Sequence, residues 1–165
     1  MAAEVTNVVI AGLGGQGVLK ASDILAEAAF QAGYKVKKAE VHGMSQRGGS
    51  VSSDVRFGTD VLSPMVPTGE ADFLVALEPS QAEGARHRLR SGAVELTSDS
   101  VDLSALATPK ALNVAMLGML SAFLDIPETS WMEAVRAALP ERLHQANADA
   151  FQYGRTEGEK EKSNG

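Results

Sequence analysis

Val8-Val9-Ile10-Ala11-Gly12-Leu13-Gly14-Gly15-Gln16-Gly17-Val18 is the stretch that decides the fold. Val8 to Ala11 is a short apolar run with no polar face, the pattern of a strand buried on both sides. Gly12 to Gly17 breaks it as a loop. A helix is predicted from Val18 to Ala32, with Val18, Ala21, Leu25, Ala28, Ala29 and Ala32 on one face and Lys20, Asp23, Glu27 and Gln31 on the other. Gly33 supplies the left-handed residue that ends a helix. Tyr34 to Val41 then alternates as a second strand. Strand, glycine loop, helix, strand is the opening of a right-handed βαβ unit, a Rossmann-like start.

The loop contains G-x-G-x-x-G literally. Small residues let backbone approach a ligand, and the following helix offers free N–H groups and a partial positive charge. Gly12, Gly14, Gly15, Gln16 and Gly17 are therefore candidate anion- or cofactor-binding residues. Glu40 lies 23 residues past Gly17, close to the ~20 at which a dinucleotide fold places its ribose-binding acid. A free-standing NAD- or FAD-binding protein is thus one reading. A Walker loop is excluded, because no Gly-Lys-Ser/Thr follows. A third reading, that the glycines only make a tight strand-to-helix turn, stays open beside these.

A second loop, His42-Gly43-Met44-Ser45-Gln46-Arg47-Gly48-Gly49, follows the second strand. Parallel strands bring their carboxyl ends to one edge of the sheet, so the two loops are expected to converge. The Arg47 guanidinium is a planar fork for carboxylate or phosphate, and Gly48 and Gly49 leave it open. His42, Ser45 and Gln46 add donors. A surface arginine in a plain loop is the alternative.

Composition narrows the chemistry. The 165 residues contain no cysteine, which excludes an iron–sulfur cluster, a zinc–thiolate site, a catalytic thiol and a disulfide framework within this chain. The net charge of −6 argues against nucleic acid as the main partner. No G-x-S-x-G elbow supports serine hydrolysis, and His42, His87 and His144 have no metal-ligand spacing. The N-terminus lacks the pattern of a signal peptide, and the longest apolar run, Val114 to Leu124, is short of the ~20 residues of a spanning helix. A cytoplasmic protein with no membrane partner is expected.

Ser50 to Phe57 reads as a half-exposed strand, Phe73 to Leu77 as a buried one, and Ala93 to Leu96 as another. Between the last two, Ser80 and Glu83 suggest a capping box opening a helix that ends at Gly92. Arg86, His87, Arg88 and Arg90 would then sit favourably at its C-terminus. Pro64 and Pro67 keep the intervening stretch irregular. The final third is helical: Ala111 to Leu124, apolar almost all round; Trp131 to Leu139, opened by a Ser130/Glu133 box; and Glu141 to Gln152. The expected fold is three-layer α/β/α with a mainly parallel sheet and a helical C-terminal third, one domain over residues 1–154. Arg155 to Gly165 is polar and charge-balanced, and is expected to be a disordered tail.

G-L-G-G-Q-G-V after the first strand and E-V-H-G-M-S-Q-R-G-G-S-V after the second together resemble the gamma-type subunits of 2-oxoacid:ferredoxin oxidoreductases, most of all the small (beta) subunit of the indolepyruvate branch. D-F-L-V-A-L-E-P at Asp72 to Pro79, Asn113 at the head of the apolar helix, and Asn147 with Phe151 and Gly154 extend the resemblance over Val8 to Gly154. The pyruvate and 2-oxoglutarate branches have Gly-Pro-Glu where this chain has Gly-Met-Ser-Gln. The resemblance implies an oxidoreductase in which a large subunit carries thiamine diphosphate, Mg and the 4Fe-4S clusters. Electrons pass to ferredoxin, and a 2-oxo acid becomes an acyl-coenzyme A. This chain alone would bind no cofactor and be inactive. Coenzyme A would lie at the interface, with Asn113 and Asn147 as further candidates. No residue here is a convincing general acid or base.

Overall fold

The computed structural model describes residues 4–42 and 49–165, the side chain of His42 excepted. Five strands form one sheet: β1 (Val5–Leu13), β2 (Lys35–His42), β3 (Ser50–Gly58), β4 (Ala71–Ala76) and β5 (Leu89–Thr97), in the order β2-β3-β1-β4-β5. The helices are α1 (Val18–Gln31), α2 (Pro79–Ala85), α3 (Leu112–Ser121), α4 (Glu128–Ala138) and α5 (His144–Asn164), with short 3₁₀ turns between several of them.

β1 is the centre. Val8 and Ile10 face one way, into a large core with α1, α3, α4 and α5; Val9 and Ala11 face the other, towards α2 and Val66. The double-sided burial expected of Val8 to Ala11 follows from this position. α1 begins at Gly17, in the left-handed region with φ 84°. It ends in a Schellman motif: Gly33 N–H donates to Phe30 O at 3.0 Å and Tyr34 N–H to Ala29 O at 3.1 Å.

The sheet is mixed, and this corrects the Rossmann-like start. β3 runs antiparallel between β1 and β2, pairing Val8 with Val55 and Lys38 with Val55 from its two sides. β1 and β2 still point the same way, but they are not neighbours. β3 is accordingly less exposed than its alternation suggests, with Ser53 and Asp54 fully buried. The layers are also unequal. Among the described residues one face carries four helices, the other only α2 and the irregular strap 59–70.

The remaining differences have local causes. α2 stops at Ala85 rather than Gly92, and neither Ser80 nor Ser130 caps a helix. Pro79 and Glu128 begin α2 and α4 instead, because a proline sits comfortably at a first helical position and Pro127 directs the chain into α4. Arg88 and Arg90 therefore serve no helix end. Arg88 forms a two-pronged pair with Asp54 at 2.7 and 2.8 Å, and Arg90 pairs with Asp72.

The segment expected to be a disordered tail is helical. α5 runs unbroken to Asn164 because it lies on α3 through glycines: Gly154 packs against the Ala115 backbone, Gly158 against Met119, and Gly118 against Phe151. Arg155 donates to Ser121 O and Oγ, and Lys162 to Ala122 O at 3.1 Å. These cations meet the carbonyls that the end of α3 leaves without helical partners. α3 itself is buried on nearly every side, a core helix as its composition suggests.

Candidate functional site

The glycine loop leaves β1 where two connections diverge. From β1 the chain passes through α1 on one face; from β4, β1's parallel neighbour, it passes through α2 on the other. The carboxyl ends of β1 and β4 thus flank a topological switch point, where open α/β sheets bind ligands.

Gln16 organises this crevice. Its Oε1 accepts the Leu13 N–H at 2.7 Å, and its Nε2 donates to Glu78 Oε2 across the crevice at 3.0 Å. The amide lies over Gly12, where a Cβ would meet Gln16 Oε1 at 2.9 Å and Val18 Cγ2 at 2.8 Å. The first glycine therefore makes room for the loop's own side chain rather than for a pyrophosphate. In the sequence Glu78 stands only as part of D-F-L-V-A-L-E-P. Its signal was an acid placed directly after a buried strand and before a helix-starting proline.

Among the described residues the loop's amides divide into bonded and unbonded. Gly14 N–H donates to Gly49 O at 3.1 Å and Gln16 N–H to Leu13 O at 3.2 Å. Gly15 and Gly17 make no such bond among the described residues. Gly15 has φ 86°, and a Cβ there would meet nothing within 4 Å, so backbone is open to approach at this point. Gly17 is covered by Asn113, whose Nδ2 donates to Gly17 O at 3.2 Å. A cleft of about 340 Å³ lies beside the loop, lined by Leu13, Gly14, Gly15, Gly17, Lys20 and Val51. The Lys20 ammonium also donates to Ala138 O at 3.2 Å.

The structure thus brings Gly12, Gly14, Gly15, Gln16, Gly17, Gly49 and Asn113 together. Gly49, where the chain enters β3, meets the glycine loop at the Gly14–Gly49 bond, the next rung of the β1–β3 ladder. Ser45, Gln46, Arg47 and Gly48 lie outside the described residues, as does the side chain of His42. Asn147 is buried on α5 and donates to Leu143 O within its own segment at 2.9 Å, apart from this cluster.

The dinucleotide geometry is not present. β3 separates β2 from β1, moving Glu40 a further strand spacing of about 4.8 Å from the loop. Glu40 pairs with Lys38 at 3.0 Å. Burial pulls the Lys38 ammonium down, but the Asp23 and Glu40 carboxylates together outweigh it and hold the group above its ordinary value. Glu40 thus serves a surface ion pair.

Residues 7–157 match the family described as pyruvate ferredoxin/flavodoxin oxidoreductase. The chain belongs to this family. It is 51% identical over 92 residues to the indolepyruvate oxidoreductase subunit IorB of Thermococcus kodakarensis, a stretch covering 56% of this chain and 46% of that one. The chain thus aligns with about half the length of that relative. With IorB of Methanothermobacter thermautotrophicus the identity is 30%, over 90% of this chain and 95% of the other. Among solved structures, the 2-oxoglutarate:ferredoxin oxidoreductase of Magnetococcus marinus, with 2-oxoglutarate, coenzyme A and succinyl-CoA bound, has the same fold: TM-score 0.82 at 18% identity, covering 95% of this chain and 31% of that one. Among the described residues no helix is long and apolar enough to cross a membrane.

Proposed function

We propose that this chain is the small subunit of an indolepyruvate-type 2-oxo acid:ferredoxin oxidoreductase working in the cytoplasm. The observation that carries this is the 51% identity to IorB over the half of the chain that is matched. In this reading the large subunit holds thiamine diphosphate with Mg and the 4Fe-4S clusters, and hands electrons to ferredoxin. Thiamine diphosphate supplies the carbanion chemistry that decarboxylates the 2-oxo acid. With no cysteine, this chain offers no thiolate to a cluster.

Its own contribution is an anion-binding edge. The residues present fit an anion at one point in particular: the open backbone of Gly15, beside the positive end of α1. The Gly15 and Gly17 amides would donate to a phosphate of coenzyme A or to the substrate carboxylate, and Arg47 would close on it as a fork. Gly14 and Gln16, whose amides are engaged, hold the loop rather than the ligand. Asn113 keeps the Gly17 peptide in place from α3.

Steady-state kinetics of the assembled enzyme test this role. Arg47→Ala is expected to raise the apparent KM for coenzyme A or for the 2-oxo acid by about tenfold or more, the loss of one charge-assisted pair. Unchanged values for both would overturn the anion-binding assignment.

A further inference from the structure

Gln16 closes the glycine loop on itself. Its backbone N–H donates to Leu13 O at 3.2 Å, and its Oε1 accepts the Leu13 N–H at 2.7 Å. The peptides on both sides of Leu13 are thus gripped by one residue further along the turn. Gly15 lies inside this closed turn, with φ 86° and open space where a Cβ would stand. The direction of its N–H follows from how the turn closes.

The turn closes this way only while the Gln16 amide keeps one orientation. Its oxygen must face the Leu13 N–H, because an amide NH₂ does not accept a hydrogen bond. Nε2 is then aimed at Glu78 Oε2, 3.0 Å away. A carboxylate accepts and cannot donate, so it fixes that orientation from the far side. The flipped amide would set oxygen against oxygen.

Glu78 is itself a fixed point. Leu77 N–H donates to Ala11 O at 2.8 Å, joining the end of β4 to β1. Pro79 follows and restricts Glu78 to extended backbone, observed at φ −128° and ψ 117°. Glu78 O accepts the Gln81 N–H at 2.9 Å. The side chain therefore projects, half-buried, from backbone held on both sides. By charge alone an acid is out of place here, since a carboxylate repels the anion that the neighbouring edge would bind. Its hydrogen bond to Gln16 gives it a use that its charge does not.

We propose that Glu78 is a positioning residue. Acting through the Gln16 amide, it holds the glycine loop in the shape that presents the Gly15 N–H to the anionic group of coenzyme A or of the 2-oxo acid. The proposal rests on the anion-binding edge proposed above and adds to it a residue from the opposite wall of the crevice. In this role Glu78 touches neither the ligand nor the reacting atoms.

The test compares Glu78→Gln, Glu78→Asp and Glu78→Ala in the assembled enzyme, with Arg47→Ala alongside. Glu78→Gln keeps the reach and an acceptor oxygen but loses the charge. Glu78→Asp keeps the charge but is one methylene too short. Glu78→Asp and Glu78→Ala are expected to raise the apparent KM for the substrate that Arg47→Ala affects by about tenfold, the loss of one charge-assisted hydrogen bond. Their kcat should stay within about twofold of wild type, and the KM of Glu78→Gln within about threefold. Adding Gln16→Ala to Glu78→Ala should raise KM no further, because the two side chains act as one unit.

A merely structural Glu78 would lower the thermal midpoint of its variants and leave KM unchanged. A residue acting by charge would reverse the order, with Glu78→Gln lowering KM and Glu78→Asp matching wild type. Either result overturns the proposal. If Arg47→Ala raises KM and no Glu78 variant does, the positioning role falls while the anion-binding edge stands. A silent Arg47→Ala overturns the edge itself, and the proposal with it. Where Glu78→Ala does not assemble, Glu78→Gln against Glu78→Asp decides alone.

Discussion

Gln16 reaches across the crevice to Glu78, its Nε2 donating to Oε2 at 3.0 Å while its Oε1 accepts the Leu13 N–H at 2.7 Å. One side chain thus ties the end of β1 to the N-cap of α2 and gives the glycine loop its shape. Gln16→Ala removes both bonds, one of them to a carboxylate. The expected cost is about 1–3 kcal/mol, read as a lower urea midpoint with an unchanged slope. A midpoint equal to wild type would mean the loop holds its shape without Gln16.

The Asp54–Arg88 pair anchors both the strap and the start of β5. Asp54 is fully buried, and its loss strands the Arg88 guanidinium and the Val66 N–H together. Asp54→Ala should destabilise the chain by about 3–5 kcal/mol, the range for breaking a buried pair. Replacing both residues, Asp54→Ala with Arg88→Met, should cost less than the sum of the two single changes, because the second removes the stranded charge. Additive costs in a double-mutant cycle would show that the pair contributes no coupling.

Two glycines predict opposite signs for one chemical change. A methyl at Gly154 would overlap the Ala115 backbone, so Gly154→Ala must push α3 and α5 apart. About 1–3 kcal/mol of destabilisation is expected, and more if the helices cannot shift. A Cβ at Gly84, within α2, meets nothing within 4 Å. Gly84→Ala should therefore stabilise by up to about 1 kcal/mol through helix propensity. Calorimetric midpoints moving in the same direction for both would contradict the packing described.

Some of this structure was legible in the sequence, where the signals are local. The buried strand, the glycine loop, α1 with its Gly33 stop, and the wholly buried α3 are each set by residues within one or two turns of each other. The turn made by Gly12 to Gly17 was legible for the same reason. Three things were not. The insertion of β3 between β1 and β2 is a pairing choice between distant segments, and its alternation fits an edge and a central strand equally well. The roles of Arg86, Arg88 and Arg90 depend on carboxylates up to 34 residues away, Arg88 on Asp54 the farthest. The helical course of residues 155–164 was hidden because its buried contacts come from glycine backbone rather than apolar side chains.

That last point yields a direct check. If α5 is needed to close the end of α3, a chain stopped after Gly154 loses the Arg155, Gly158 and Lys162 contacts and should unfold several degrees lower. A truncated chain with the wild-type midpoint would restore the reading of residues 155–165 as a dispensable tail.

In the proposed function this chain completes an enzyme whose redox centres lie elsewhere. Its most direct test is purification of the tagged chain from its own cell without oxygen, followed by an assay of ferredoxin reduction driven by indolepyruvate and coenzyme A. A fixed-ratio complex with a large subunit containing iron and thiamine diphosphate, active only with both substrates present, is expected. A chain that elutes alone and binds NAD or FAD tightly would contradict it.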